Sequence, residues 1–174
     1  MSLYNFSMGM FLIFACANVI AREIKIEDLA SDPKLKDNDY IDFGTLRVTK
    51  VKKNYYSISG NFEIKQNLGN EKKILLEIKS KTTGSLIYKR EDLLCTFLQK
   101  ENLIIPGLIQ KSNIPTDVMT DLCPFPSGDY WIKNYTIDES KFLTAPIGNY
   151  NTKISLLERG KVLASISSNT YLTI

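Results

Sequence analysis

Cys123-Pro124-Phe125-Pro126-Ser127-Gly128-Asp129-Tyr130-Trp131-Ile132-Lys133-Asn134 sets the architecture. Two prolines hold the backbone extended and forbid a helix. Ser127-Gly128 makes a turn that releases the chain into a strand. With a period of two, Tyr130, Ile132 and Asn134 point one way, and Trp131 and Lys133 the other. Trp131 is the sole tryptophan of the chain, so a large share of core burial is expected on this strand. A cysteine at its head is placed to be stapled to another element.

Working outward, the flanks carry the same period. Upstream, Leu46 and Val48, then Tyr56, Ile58, Gly60, Phe62 and Ile64 alternate across Lys52-Lys53-Asn54, which predicts two strands. Asn67-Leu68-Gly69-Asn70 is a turn, and Ile74, Leu76 and Ile78 give a third strand. After Thr82-Thr83-Gly84, Leu86 to Lys89 give a fourth. A short edge strand is expected at Glu23 to Ile26, within an otherwise polar lead-in of residues 22–41. Downstream, Tyr150, Thr152, Ile154 and Leu156 alternate up to a hairpin turn at Glu158-Arg159-Gly160-Lys161, and Val162 to Ile174 form a long last strand. The period breaks once. Glu91-Asp92 precede Leu94, Phe97 and Leu98, whose spacing predicts a helix over Glu91 to Leu103, ended by Pro106-Gly107. The expected fold is mainly β, an antiparallel two-sheet sandwich with one short helix and loop, in a single domain over residues 22–174.

Composition narrows the chemistry. The 174 residues hold no histidine, so Ser-His-Asp and Cys-His catalysis cannot be built, and the commonest metal ligand is missing. The only cysteines are Cys16, Cys95 and Cys123, too few for a cysteine-rich zinc site. The nine glycines are scattered, with no phosphate loop and no nucleophile elbow. A net charge of +3 makes no case for nucleic acid as a partner. No enzyme, metal or cofactor is expected; binding is.

Residues 8–20 are uncharged and apolar, too short for a membrane span and suited to the core of a secretory signal. Val19-Ile20-Ala21 offers the cleavage site, so residues 1–21 are expected to be removed and Arg22 to lead a secreted, extracellular protein. Cleavage takes Cys16 with it. The simplest pairing is then a Cys95–Cys123 disulfide, closing a loop that stabilises by roughly 3–4 kcal/mol. Asn134-Tyr135-Thr136 is a glycosylation sequon, usable in a secreted chain.

Leu93-Leu94-Cys95-Thr96-Phe97-Leu98, Ser112-Asn113-Ile114-Pro115, the Cys123–Asn134 stretch and Ala145-Pro146-Ile147-Gly148-Asn149-Tyr150 together resemble the secreted insect chemosensory proteins of the CheA and CheB type. These look like relatives of the ganglioside-activator branch of lipid-recognition proteins. The resemblance implies a β-cup, two sheets splayed around an apolar cavity, and a role in pheromone perception. The expected function is to carry or present a hydrophobic ligand: a lipid, hydrocarbon or pheromone-like molecule. On that reading Phe97, Ile104, Ile105, Leu108 and Met119 line or gate the mouth, helped by the breaks at Pro106-Gly107 and Pro115, and Trp131 sits on the wall. The other reading is an extracellular interaction module that engages a membrane receptor or channel through its surface and holds no ligand. Lipid extracted from the purified protein separates the two.

Overall fold

A computed structural model describes residues 23–53, 55–101, 104–119, 123–142 and 145–173, with the side chains of 118, 119, 141 and 142 outside that description. The strands are β1 (Glu23–Ser31), β2 (Ile41–Asp42), β3 (Arg47–Lys52), β4 (Tyr55–Ile64), β5 (Lys73–Ser80), β6 (Leu86–Leu93), β7 (Gly128–Tyr135), β8 (Gly148–Glu158) and β9 (Lys161–Thr173). Two short helices, α1 (Leu94–Lys100) and α2 (Ile105–Gln110), lie between β6 and β7. The strands form two antiparallel sheets, as the alternation predicts. The larger runs β1-β9-β8-β5-β6; in the smaller, β2, β3 and β7 all pair with β4.

The two-residue period decides which face each strand buries. In β4, Ile64 is buried and Ile58 and Phe62 are half-buried against the other sheet. In β7, Tyr130 and Ile132 are buried, and Tyr130 stacks on Phe62 with ring centroids 5.4 Å apart and meets the edge of Phe125 at 5.3 Å. The Glu158–Lys161 hairpin turns through Arg159 (φ 49°) and Gly160 (φ 79°), the positive-φ pair that a two-residue hairpin matching the strand twist demands.

Two apolar clusters hold the sheets together. One joins Ile64 and Tyr130 of the smaller sheet to Leu156, Leu163 and Ala164 of the larger, with Leu68, Leu94, Ile109, Ile114 and Phe125. The second joins Ile24, Ile26 and Leu172 to Val48, Ile58 and Tyr150. Each large side chain so buried contributes about 1.5–3 kcal/mol. At one edge β1 lies against β3 and β4. At the other, β6 runs straight into α1, and α2 lies against β7.

Three local expectations are corrected. Glu91, Asp92 and Leu93 are not helical: they complete β6, with Glu91 opposite Leu75 and its carboxylate 2.8 Å from the Lys73 ammonium. A pairing partner outweighs the i, i+3, i+4 spacing, and the helix starts at Leu94. Pro106-Gly107 do not end a helix but open α2, where the missing proline N–H would have had no partner anyway. β1 extends to Ser31, beyond the expected Ile26, because β9 offers it a long partner. Residues 1–21, Leu103 and Ile174 lie outside the described residues.

Candidate functional site

Among its described residues, the segment between β6 and β7 is tied to both sheets at several points. Leu94 N–H donates to the Lys72 carbonyl (3.0 Å), and Cys95 N–H to Asn70 Oδ1 (3.2 Å), so β5's approach caps α1 from outside. Cys95 is bonded to Cys123, with Cα atoms 6.0 Å apart, which joins α1 to the head of the tryptophan strand as expected. Phe125 and Leu68, both buried, exchange two backbone bonds of 2.8 Å.

α2 has no side-chain cap at Ile104. Glu101 supplies one from the preceding helix: its buried carboxylate accepts from the N–H groups of Ile104 (2.8 Å) and Ile105 (3.0 Å), satisfying donors that a helix start leaves open. Tyr135, 4% exposed, donates its hydroxyl to the Ile104 carbonyl at 3.4 Å. Burial, reinforced by the negative charges of Glu101 and Asp138, pushes this phenol up to about 12. Past α2 the chain runs along β7: Lys133 N–H donates to Lys111 C=O (2.7 Å), Trp131 N–H to Asn113 Oδ1 (2.7 Å), and the Asn113 amide to Asp129 C=O (3.1 Å).

The expected mouth residues therefore have different surroundings. Ile105 and Leu108 pack against the first core cluster. Phe97 is 7% exposed, beneath the Arg90 guanidinium, whose central carbon is 5.3 Å from the ring centroid. Ile104 is half-buried beside Tyr135. The Met119 side chain lies outside the described residues. Trp131 is on the face of β7 turned away from the core, half-buried, with the Lys133 ammonium 4.6 Å from its ring centroid; the burial expected of it falls to Tyr130, Ile132 and Tyr135. The wall reading of Trp131 is thus replaced by an outer-face position, as strict alternation with buried Tyr130 requires.

A different set of residues faces the space between the sheets. The pairing of β5, β8 and β9 places Ile74, Leu156 and Ala164 in one row, Leu76, Ile154 and Ile166 in the next, and Ile78, Thr152 and Ser168 in the third. The first row is in the core. Further along the same strands, Tyr150 and Leu172 belong to the second cluster. All point to the same inner face, since all are two residues apart along their strands. Yet Ile78, Ile154, Ile166, Thr152 and Ser168 are only half-buried, and the three isoleucines pack against neither cluster of described residues. Sequence reading found the alternation in β5 and β8 but not which part of it the other sheet covers. The signal that separates floor from core is where the opposite sheet lies, which one strand's period does not contain. Two surface depressions, one between Glu23, Lys25 and Tyr171 and one between Lys34, Asn38 and Lys161, lie away from these rows.

Electrostatics mark the rim of the core. Lys72, 5% exposed, bonds Glu158 at 2.7 Å and lies 5.1 Å from the Tyr40 ring centroid. Burial works against its charge, but the bonds to Glu158 and Glu71 outweigh it and hold the ammonium above its usual range. Asn134, with φ 52°, sits exposed where the β4–β7 register shifts, its N–H bonded to Ser59 Oγ at 2.9 Å.

No curated protein matches the chain. Residues 72–152 match the family model described as protein of unknown function DUF1091, a stretch that runs from β5 through both helices, the disulfide and β7 into β8.

Proposed function

We infer that this chain carries a hydrophobic molecule, a lipid, hydrocarbon or pheromone-like compound, held between its two sheets. The observation that carries the reading is the inward-facing isoleucines of two adjacent rows, Ile154 and Ile166 in one and Ile78 in the next, half-exposed and outside both core clusters. A folded domain normally buries such residues at about 25 cal/mol per Å² of apolar surface. An apolar ligand laid along them would gain that term, with Thr152 and Ser168 as polar groups to orient it. The helical segment then acts as a fixed cap, since Ile105 and Leu108 are part of the core it closes. The resemblance to chemosensory and lipid-recognition proteins supports the same ligand class, and the disulfide supports an oxidising, extracellular setting. Among the described residues no helix is long and apolar enough to cross a membrane.

The test is lipid extraction from protein collected from the medium of expressing cells, followed by mass spectrometry, with uptake of a fluorescent fatty acid measured alongside. We expect a product beginning near Arg22, with a glycan at Asn134, that takes up the probe. Ile154→Asp and Ile166→Asp should abolish uptake while far-UV circular dichroism is kept, because an unpaired charge on an apolar floor is costly. Ile105→Asp and Leu108→Asp should instead unfold the protein. A parent that carries no lipid and binds no probe sinks the carrier reading and favours the surface-interaction module.

A further inference from the structure

Two hairpins, β3–β4 and β5–β6, reach the same end of the sheets. The register fixes this: Ser80 lies opposite Tyr150, Gly148 opposite Leu172 and Glu23 opposite Thr173. Lys81 N–H donates to Asn149 C=O at 2.8 Å. The Lys25 ammonium lies 5.3 Å from the Tyr171 ring centroid and 6.0 Å from that of Tyr56, and the Lys81 ammonium lies 5.8 Å from Tyr171. A line of lysines and tyrosines thus joins the foot of one hairpin to the turn of the other.

This end gathers exposed apolar side chains. Val51 and Tyr55 on the first hairpin, Leu86, Ile87 and Tyr88 on the second, and Ile147 just before β8 are each 40–55% exposed. Three consecutive exposed residues in a strand mean that neither of its faces is covered there. Single exposed apolar residues are ordinary, whereas a group of them marks a surface for a partner.

Positive charge is gathered with them. Residues 43–62 and 78–88 hold Arg47, Lys50, Lys52, Lys53, Lys79 and Lys81 and no acid, which leaves sixteen of the 22 cations against all 19 acids in the rest of the chain. None of the six is in an ion pair among the described residues. The Lys52 ammonium stands 5.1 Å from the Tyr55 ring centroid. The acids of this end, Glu23, Glu27, Asp138 and Glu139, lie outside the two hairpins; Glu27 pairs with Lys25, and Glu139 accepts from the Ile24 N–H at 3.4 Å.

Cations alone would suit any polyanion, and apolar residues alone any apolar partner. The two together fit the surface of an anionic bilayer. Tyrosine rings favour the headgroup level, apolar side chains reach the acyl boundary beneath it, and each lysine gains from acidic headgroups nearby. We propose that this end of the molecule docks on an anionic phospholipid membrane, with the ends of both hairpins in the headgroup layer. The dock does not depend on what lies between the sheets.

The experiment is co-sedimentation of the purified chain with vesicles of phosphatidylcholine and phosphatidylserine, against vesicles of phosphatidylcholine alone. The chain should pellet with the mixed vesicles at low salt, stay in solution with the neutral ones, and be released as salt rises. Lys52→Gln with Lys53→Gln should weaken binding about tenfold or more. Lys34→Gln with Lys36→Gln removes the same charge at the opposite end, beside Lys161, and should change binding less than about twofold. A polarity-sensitive fluorophore attached at Val51→Cys should shift to the blue on mixed vesicles, and one at Lys34→Cys should not, which reads the dock even if a charge variant folds poorly. A chain that ignores mixed vesicles at low salt overturns the proposal. So do equal losses from the two lysine pairs, or a Val51→Cys label that stays in water while the chain is bound. Retention on heparin without vesicle binding, or a dimer that shields the Val51→Cys label in the absence of vesicles, overturns it too, assigning this end to a soluble polyanion or to a second copy.

Discussion

At the scale of single residues, Gly60 shows how little freedom a strand centre can leave. Its φ is +140°, and a Cβ placed there would stand 2.4 Å from the Thr45 carbonyl oxygen and 2.7 Å from the Leu46 nitrogen. Both obstacles are backbone and cannot swing aside. Gly60→Ala should therefore destabilise by about 2–4 kcal/mol, combining backbone strain with overpacking, read as a lower urea midpoint with an unchanged slope. Residue-level signals were partly legible in the sequence. The opposite faces of Tyr130 and Trp131 follow from alternation, but which face meets the other sheet does not, so the large aromatic was credited with burial that its neighbours provide. Glu101 was invisible as a cap, because its clients Ile104 and Ile105 follow a break between helices.

Among elements, the boundaries of α1 were misread because the deciding contact is distant. Glu91 and Asp92 look like a helix start until β5 is seen beside them, with Lys73 opposite Leu93 and Arg90 opposite Leu76. The disulfide pairing, by contrast, follows from cysteine count alone once Cys16 is assigned to a signal segment. α1 has seven residues and no side-chain cap of its own at its start, so its position rests on Asn70, on the packing of Leu94, Cys95 and Phe97, and on Cys123. Replacing Cys95 and Cys123 together by Ser releases a 28-residue separation and should cost about 3–4 kcal/mol. Urea denaturation of the oxidised parent against the double variant measures this, and equal midpoints would show that α1 is held without the bond.

For the whole molecule, the alternation made two antiparallel sheets legible, whereas the strand order was not: which strands become neighbours is settled by non-local pairing, and β1 gives no hint that β9 is its partner. Stability should also carry a whole-molecule alkaline signature. Tyr135 ionises near 10 when unfolded but only near about 12 when folded. Its raised value stabilises the fold fully below pH 10, and that contribution is lost as pH rises through about 12, because the unfolded chain releases the proton first. Lys72 and Tyr130, also held above their ordinary values, act in the same direction. Tyr135→Phe should flatten the fall in stability across that window by on the order of 2 kcal/mol, as seen in urea midpoints measured at successive pH values. An unchanged slope would place the titration elsewhere.

The pairing of β1 with β9, Glu23 opposite Thr173, has a consequence for synthesis. The first described strand waits for the last: β9 lies between β1 and β8, so neither can complete its ladder until β9 has been made. The β5–β6 hairpin and the β3–β4–β7 unit can assemble as they emerge, while β1 and β8 hold open edges. A released chain truncated before Lys161 should therefore keep a smaller sheet that resists protease while its β1 is cut.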